Sequence, residues 1–312
     1  MRRLPVLMLA FVMLAFVMLS PLVATAQQPD VRPTARGDEA VATQAQPQAT
    51  LDEIAKTFGF VPTFLKAYPP SALPGAWQYM KGVWLNPKSA LSAKDKELIG
   101  LAVAAQIPCN YCIYSHTEGA KAHGATAAEI NEAIALAANT RQWSTTLTGA
   151  ETNPIAFRAW TDDALAHVKK VAEANPSGGP MPLARDADEA RRQIVKVFGD
   201  VPPFIDHIPD AALAGAWNGY IALNSSTPTA LPAKTRELIG VAVASQAPAE
   251  NALYMSMRSA RQNGATSAEI DEAVVMAATV RHWSTYLNGT QADMATFRRE
   301  VDRMLMPAKR GT

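Results

Sequence analysis

Residues 91–130 read "LSAKDKELIGLAVAAQIPCNYCIYSHTEGAKAHGATAAEI", and residues 231–270 read "LPAKTRELIGVAVASQAPAENALYMSMRSARQNGATSAEI". The offset between them is 140. It holds without a gap from Pro62/Pro202 to Leu147/Leu287, with 38 of the 86 positions identical. A fixed-offset match of that density means that one structural unit occurs twice in tandem.

Each copy reads as helical. Ser92 lies three residues before Asp95 ahead of an apolar run, which resembles a capping box. The second copy has Pro232 at the same place, a favoured first-turn residue. "KELIGLAVAAQ" is apolar on most faces, as a buried helix is, and Pro108 closes it. A second helix is expected from near Cys109 to Gly124, with the glycine as C-terminal cap. Thr126 and Glu129 form a further capping box before "EINEAIALAANTRQW", which continues at helical spacing. No stretch alternates like a strand. The expected fold is all-α, a tandem duplication of one helical domain.

The flanks divide the chain. "MRRLPVLMLAFVMLAFVMLSPLVATAQ" opens on Arg2 and Arg3, runs apolar to Leu19 and reaches Ala24-Thr25-Ala26. That order is a secretory signal peptide over residues 1–26, with an uncleaved membrane anchor as the alternative. Residues 27–50, rich in Gln, Pro, Ala and Thr, read as a flexible tether. The first domain then spans 51–174. A Gly/Pro linker covers 175–188, the second domain 189–306, and a short basic tail 307–312. Export places the protein across the inner membrane, in the periplasm. Cleavage leaves 286 residues with 27 basic against 28 acidic side chains. No basic stripe survives to suggest nucleic acid.

The chain's only cysteines are Cys109 and Cys112. They are too few to build a disulfide scaffold, and an exported pair is readily oxidised. On a helix, Cys109, Cys112 and His116 lie on one stripe, with Cys112 and His116 one turn apart. A helix N-terminus and a nearby imidazole both favour the thiolate that attacks a peroxide or a disulfide. A c-type haem would need histidine directly after Cys112, where Ile113 stands. A thioredoxin motif would follow a strand. Zinc would need a fourth ligand beyond the two cysteines and His116, and no second Cys/His pair supplies one. No metal or cofactor is therefore expected. The bland alternative is that small residues are simply needed at 109 and 112. The second copy argues against it: Ala249, Ala252 and Ser256 replace Cys109, Cys112 and His116 together, while Pro108, Tyr114 and the Gly-Ala-Thr turn are kept.

Glu97, eleven residues of spacer, C109-N-Y-C112, I-Y-S and H116, followed by HGAT-x-AEI, resemble the AhpD-like alkylhydroperoxidase core of the carboxymuconolactone decarboxylase superfamily. The resemblance covers about residues 51–150 and, degenerately, the second copy. It implies an all-helical, homo-oligomeric protein that reduces a hydroperoxide or a protein disulfide through the cysteine pair. It also implies a proton relay through Glu97 and His116, and an electron donor, here an unknown thiol. Some members carry a histidine just before the second cysteine; Tyr111 stands there instead.

The catalytic set read from the sequence is thus Cys109, Cys112, His116 and Glu97. Cys112 is the activated thiol and Cys109 the resolving one, although the helix N-terminus favours Cys109 and allows the reverse order. Glu97 recurs as Glu237, so a structural role competes with a catalytic one. His123 reads as a last-turn residue, and Tyr114 as packing. Trp77/Trp217 and Trp143/Trp283 read as core. The alternatives are a decarboxylase-type lyase and a non-catalytic binding or assembly module.

Overall fold

The computed structural model describes residues 36–175, 179, 181–224, 229–246 and 249–309, with side chains from 46 to 306. The expected signal peptide lies outside the described residues. Residues 1–42 and 43–312 form separate compact units, and of the first only 36–42 are described. The second unit carries both copies of the repeat.

All regular elements among the described residues are helical, as expected. The first copy contains α1 (Arg36–Phe58), α2 (Thr63–Lys66), α3 (Leu73–Trp84), α4 (Ala93–Gln106), α5 (Asn110–Ala122), α6 (Ala127–Gly149) and α7 (Pro154–Ala174). The second contains α8 (Ala187–Phe198), a short 3-10 turn (Pro203–His207), α9 (Asp210–Asn224), α10 (Ala233–Ala244), α11 (Glu250–Gln262), α12 (Ser267–Gly289) and α13 (Met294–Lys309).

The helix boundaries reflect local chemistry. Ser92 caps α4 by accepting from the Asp95 N–H at 3.0 Å. Thr126 and Glu129 close a full capping box, and Lys94 adds an ion pair to Glu129 at 2.6 Å. Thr266, Glu269 and Lys234 repeat that arrangement in the second copy. Gly124 and Gly264, at φ +78° and +84°, make the turns into α6 and α12, where a side chain would be strained.

Three sequence boundaries shift. Residues 36–50 are helical where an irregular tether was expected. Alanine and glutamine there are good helix formers; the helix includes Pro47 and continues to Phe58, with Ile54 fully buried near its end. The 307–312 tail starts later than expected, since α13 runs to Lys309, and α8 begins inside the expected linker.

The two copies also do not stand as separate domains. One central core takes residues from both: Leu98, Ile99 and Leu136 lie against Leu238, Ile239 and Met276. On one flank, Phe64 and Trp77 of the first copy pack with Trp283, Phe297 and Val301 of the second. On the other, Leu147 and Phe157 of the first pack with Phe198, Phe204 and Trp217 of the second. Each copy thus covers the other's opening helices with its own closing ones. Polar contacts repeat with the same symmetry. The Tyr114 hydroxyl donates to Asp302, and the Tyr254 hydroxyl to Asp162. Glu272 accepts from the Ala90 and Leu91 N–H groups, and Glu132 from Ala230.

An isolated first copy would leave the apolar faces of α4, α5 and α6 uncovered. Residues 43–174 expressed alone are expected to dimerise, or to bind a hydrophobic dye while losing near-ultraviolet dichroism. A dichroic, dye-free monomer in light scattering would contradict the shared core.

Candidate active site

Cys109 occupies the N-cap of α5, and its sulfur accepts from the Cys112 N–H at 3.2 Å. The two cysteines form a disulfide, and both are buried, Cys109 completely. Pro108 and the end of α4 fix this corner. Sulfur at a helix N-terminus meets unpaired N–H groups that stabilise a thiolate.

His116 lies two turns into α5 and is 3% exposed. Its Nδ1 is 2.7 Å from Glu97 Oε2 on α4. A carboxylate accepts, so Nδ1 carries the proton and Nε2 is left for proton exchange. Two glycines make the pair possible. A Cβ at Gly100 would stand 2.5–2.8 Å from three imidazole atoms, and one at Gly119 2.6 Å from the Glu97 carboxylate. α4 and α5 approach closely because each offers a bare backbone where the other presents a functional side chain. Trp84 stacks on the imidazole at 5.5 Å between centroids and 28°. Trp84 is held in turn by Lys96, whose buried ammonium donates to the Val83 and Trp84 carbonyls at 3.0 and 3.3 Å. Burial lowers the Lys96 pKa, against the opposing pull of Glu272 and Glu97.

A cavity of about 380 Å³ opens on this group. Cys112, His116 and Glu97 line it from the first copy, and Val280, Trp283, Leu287, Phe297 and Val301 wall it from the second. Cys109 does not reach the cavity, so Cys112 presents the accessible sulfur. The structure brings together three of the four expected residues on one surface and places the fourth directly behind, bonded to Cys112. Two residues acquire a role that the sequence did not give them. His123, read as a helix-end residue, is the C-cap of α5 and also lines the cavity. Trp283, read as core, forms part of the wall, and its buried indole N–H has no partner. Nothing in a one-copy pattern signals a wall supplied by the other copy. Among the described residues no group of three or more His, Cys, Asp or Glu gathers at metal-binding distance.

The second copy has the equivalent cavity, about 100 Å³. Glu237, Ala252 and Ser256 stand there for Glu97, Cys112 and His116. Burial pushes the Glu237 carboxyl up to about 7, against the pull of Arg236.

The sequence profile of the carboxymuconolactone decarboxylase family matches residues 70–151 and 211–292, once in each copy. The chain belongs to the carboxymuconolactone decarboxylase family. Within that family it is a tandem AhpD-like repeat. A solved structure from Burkholderia xenovorans LB400, provisionally described as a gamma-carboxymuconolactone decarboxylase subunit, superposes with a TM-score of 0.51 at 19% identity. The likeness covers 81% of this chain and 98% of that one, so it runs across both copies and concerns the fold. A protein of Paracoccus denitrificans, "Uncharacterized protein 4 in cox locus", is 46% identical over 52 residues, 17% of this chain and 47% of the relative. This member of the family therefore spans about half the length of that curated relative.

The close approach at Gly100 is testable by substitution. Gly100→Ala is expected to displace His116 and to cost about 1–3 kcal/mol in denaturant unfolding. Gly240→Ala, whose Cβ would meet the Ser256 hydroxyl at 3.0 Å, is expected to cost less. Equal losses would contradict the crowding at the imidazole.

Stability should also depend on pH through the second copy. Glu237 holds its proton more tightly when folded, its pKa rising from 4.5 to about 7. Its contribution to stability is full below the unfolded value and is lost as pH rises through the folded one, by on the order of 3 kcal/mol. Glu237→Gln is expected to flatten unfolding free energy between those two values, and an unchanged slope would refute this.

Proposed function

We propose that the protein is a thiol-dependent oxidoreductase that reduces a hydroperoxide or a disulfide at Cys109 and Cys112. The reading rests on one observation. The accessible cysteine, the imidazole and its carboxylate share a single apolar cavity, and the second copy keeps the fold without the cysteines and the imidazole.

In the first step the Cys112 thiolate attacks the distal peroxide oxygen. The O–O bond breaks, Cys112 becomes a sulfenic acid, and the leaving alkoxide takes a proton by way of His116. The Cys109 thiolate attacks that sulfenic sulfur, forming the disulfide and releasing hydroxide, which is protonated to water. A dithiol donor then attacks Cys112 and expels Cys109 as a thiolate, stabilised at the start of α5. Two electrons pass from the donor to the peroxide. Glu97 holds the imidazole tautomer. With a disulfide substrate the same exchange runs in the opposite sense. The leader expected at residues 1–26 places this chemistry beyond the inner membrane. We further propose that the whole chain associates with copies of itself, as the family resemblance implies.

The test tracks free thiols in the reduced full chain after adding a hydroperoxide. The expected result is loss of two thiols per chain, no disulfide in Cys112→Ser, and a rate lower by about 100-fold in His116→Ala. Oxidation no faster than that of a free model thiol would overturn the peroxidase reading. The Glu97–His116 pair on the cavity wall also favours a second reading, a lyase that moves a proton without thiol chemistry. Under that reading, decarboxylation of a lactone bearing a carboxyl group, with release of carbon dioxide and protonation of the carbon left behind, would persist when both cysteines are serine.

A further inference from the structure

The second copy's cavity carries a chemistry of its own. It is walled by rings, among them Trp143, Phe204 and Tyr220, and Glu237 lines it from α10. No hydrogen bond or ion pair within 4 Å joins Glu237 to another described side chain. Arg236, the adjacent charge, also lines the cavity, but its guanidinium is engaged by the Leu223 carbonyl, to which it donates at 3.1 Å, as Lys96 does to the end of α3. Ser259 stands where Gly119 gives Glu97 its room, so Glu237 cannot take the path of Glu97. Tyr220 lines the same cavity, and there burial, with the Glu237 charge adding to it, pushes the phenol up from its ordinary value.

The first copy shows what this carboxylate holds when it has a partner: an N–H-bearing five-membered ring at 2.7 Å, packed on an aromatic face. The second copy replaces that ring by the Ser256 hydroxyl and replaces Trp84 by Asn224. Gly240 is kept, so α10 still offers a bare backbone on that side. The result is a carboxylate facing an aromatic-walled space of about 100 Å³. A dry cavity of about 150 Å³ accepts benzene, so this one suits a ligand of roughly five heavy atoms.

We propose that the second copy's cavity is a binding site for a small organic cation bearing an N–H, about the size of a five-membered ring, held by Glu237 and the surrounding aromatic faces. A cation over indole and phenol rings gains from their quadrupoles, and a desolvated carboxylate makes the charge-assisted bond strong. The site is separate from the disulfide and does not depend on the redox reading.

The full chain is titrated with pyrrolidine, which stays cationic near neutrality, and with tetrahydrofuran, its uncharged ring analogue. Binding is read by calorimetry and by ligand-observed NMR. Pyrrolidine is expected to saturate with a dissociation constant on the order of 1 mM, as suits so small a ligand. Tetrahydrofuran is expected to bind at least about 10-fold more weakly, and Glu237→Gln to weaken pyrrolidine by about the same factor. Ser256→His, which returns a tethered imidazole, is expected to block the site. The charged or titratable neighbours of Glu237 are Arg236, a permanent cation, and Tyr220, whose phenol burial pushes further up from its ordinary value. Affinity is therefore expected to rise by about 10-fold from pH 6 to 8 as Glu237 ionises, and to stay flat in Glu237→Gln. No saturation by about 50 mM, equal binding of tetrahydrofuran, or binding unchanged in Glu237→Gln would overturn the proposal. So would loss of binding in Glu97→Gln alone, which would put the ligand in the first cavity. If Ser256→His fails to fold, the near-isosteric Glu237→Gln decides.

Discussion

The site depends on how closely α4 and α5 approach. A partly buried carboxylate and a buried imidazole are each costly to desolvate, and that cost is offset when they bond to each other at short range. That bond needs two helices with no side chain between them at Gly100 and at Gly119. Once the helices lie that close, the start of α5 is fixed, and with it the cysteine corner. Lys96 and Trp84 complete the support from the third side, the lysine answering the open carbonyls at the end of α3 and the tryptophan covering the ring. The arrangement that orients His116 therefore also holds the disulfide at the cavity's edge.

Much of this was legible in the sequence, because it is local. Capping residues, apolar periodicity and the Gly-Ala-Thr turns act within a few residues, so the all-helical class and the helices around the cysteines could be read directly. The Cys109, Cys112 and His116 stripe was legible for the same reason, and the second copy supplied a comparison inside one chain. Glu97 was ambiguous because it recurs as Glu237. The structure gives the two glutamates different lives: one is bonded to an imidazole, and the other faces an aromatic cavity with its pKa raised to about 7.

Features that arise between distant segments could not be read. Trp283 carries the same pattern as any core tryptophan, and only the packing of α12 beside α5 makes it a wall of the cavity. The helix at 36–50 was hidden by its composition, because glutamine, proline and threonine also suit a tether. The division into two domains came from the repeat, which reports ancestry. The shared core reports where apolar surface is covered, and the two need not coincide.

The exchange of walls between copies has a consequence for concentration. In an assembly of separate subunits, a site whose far wall belongs to a neighbour is complete only above the dissociation constant of the assembly. Joining the two copies in one chain replaces that requirement with a fixed local concentration, on the order of millimolar for a short connection. The site then survives any dilution. It also becomes lopsided without penalty: one half can keep the reactive groups while the other is retained as architecture, which no assembly of identical subunits can do.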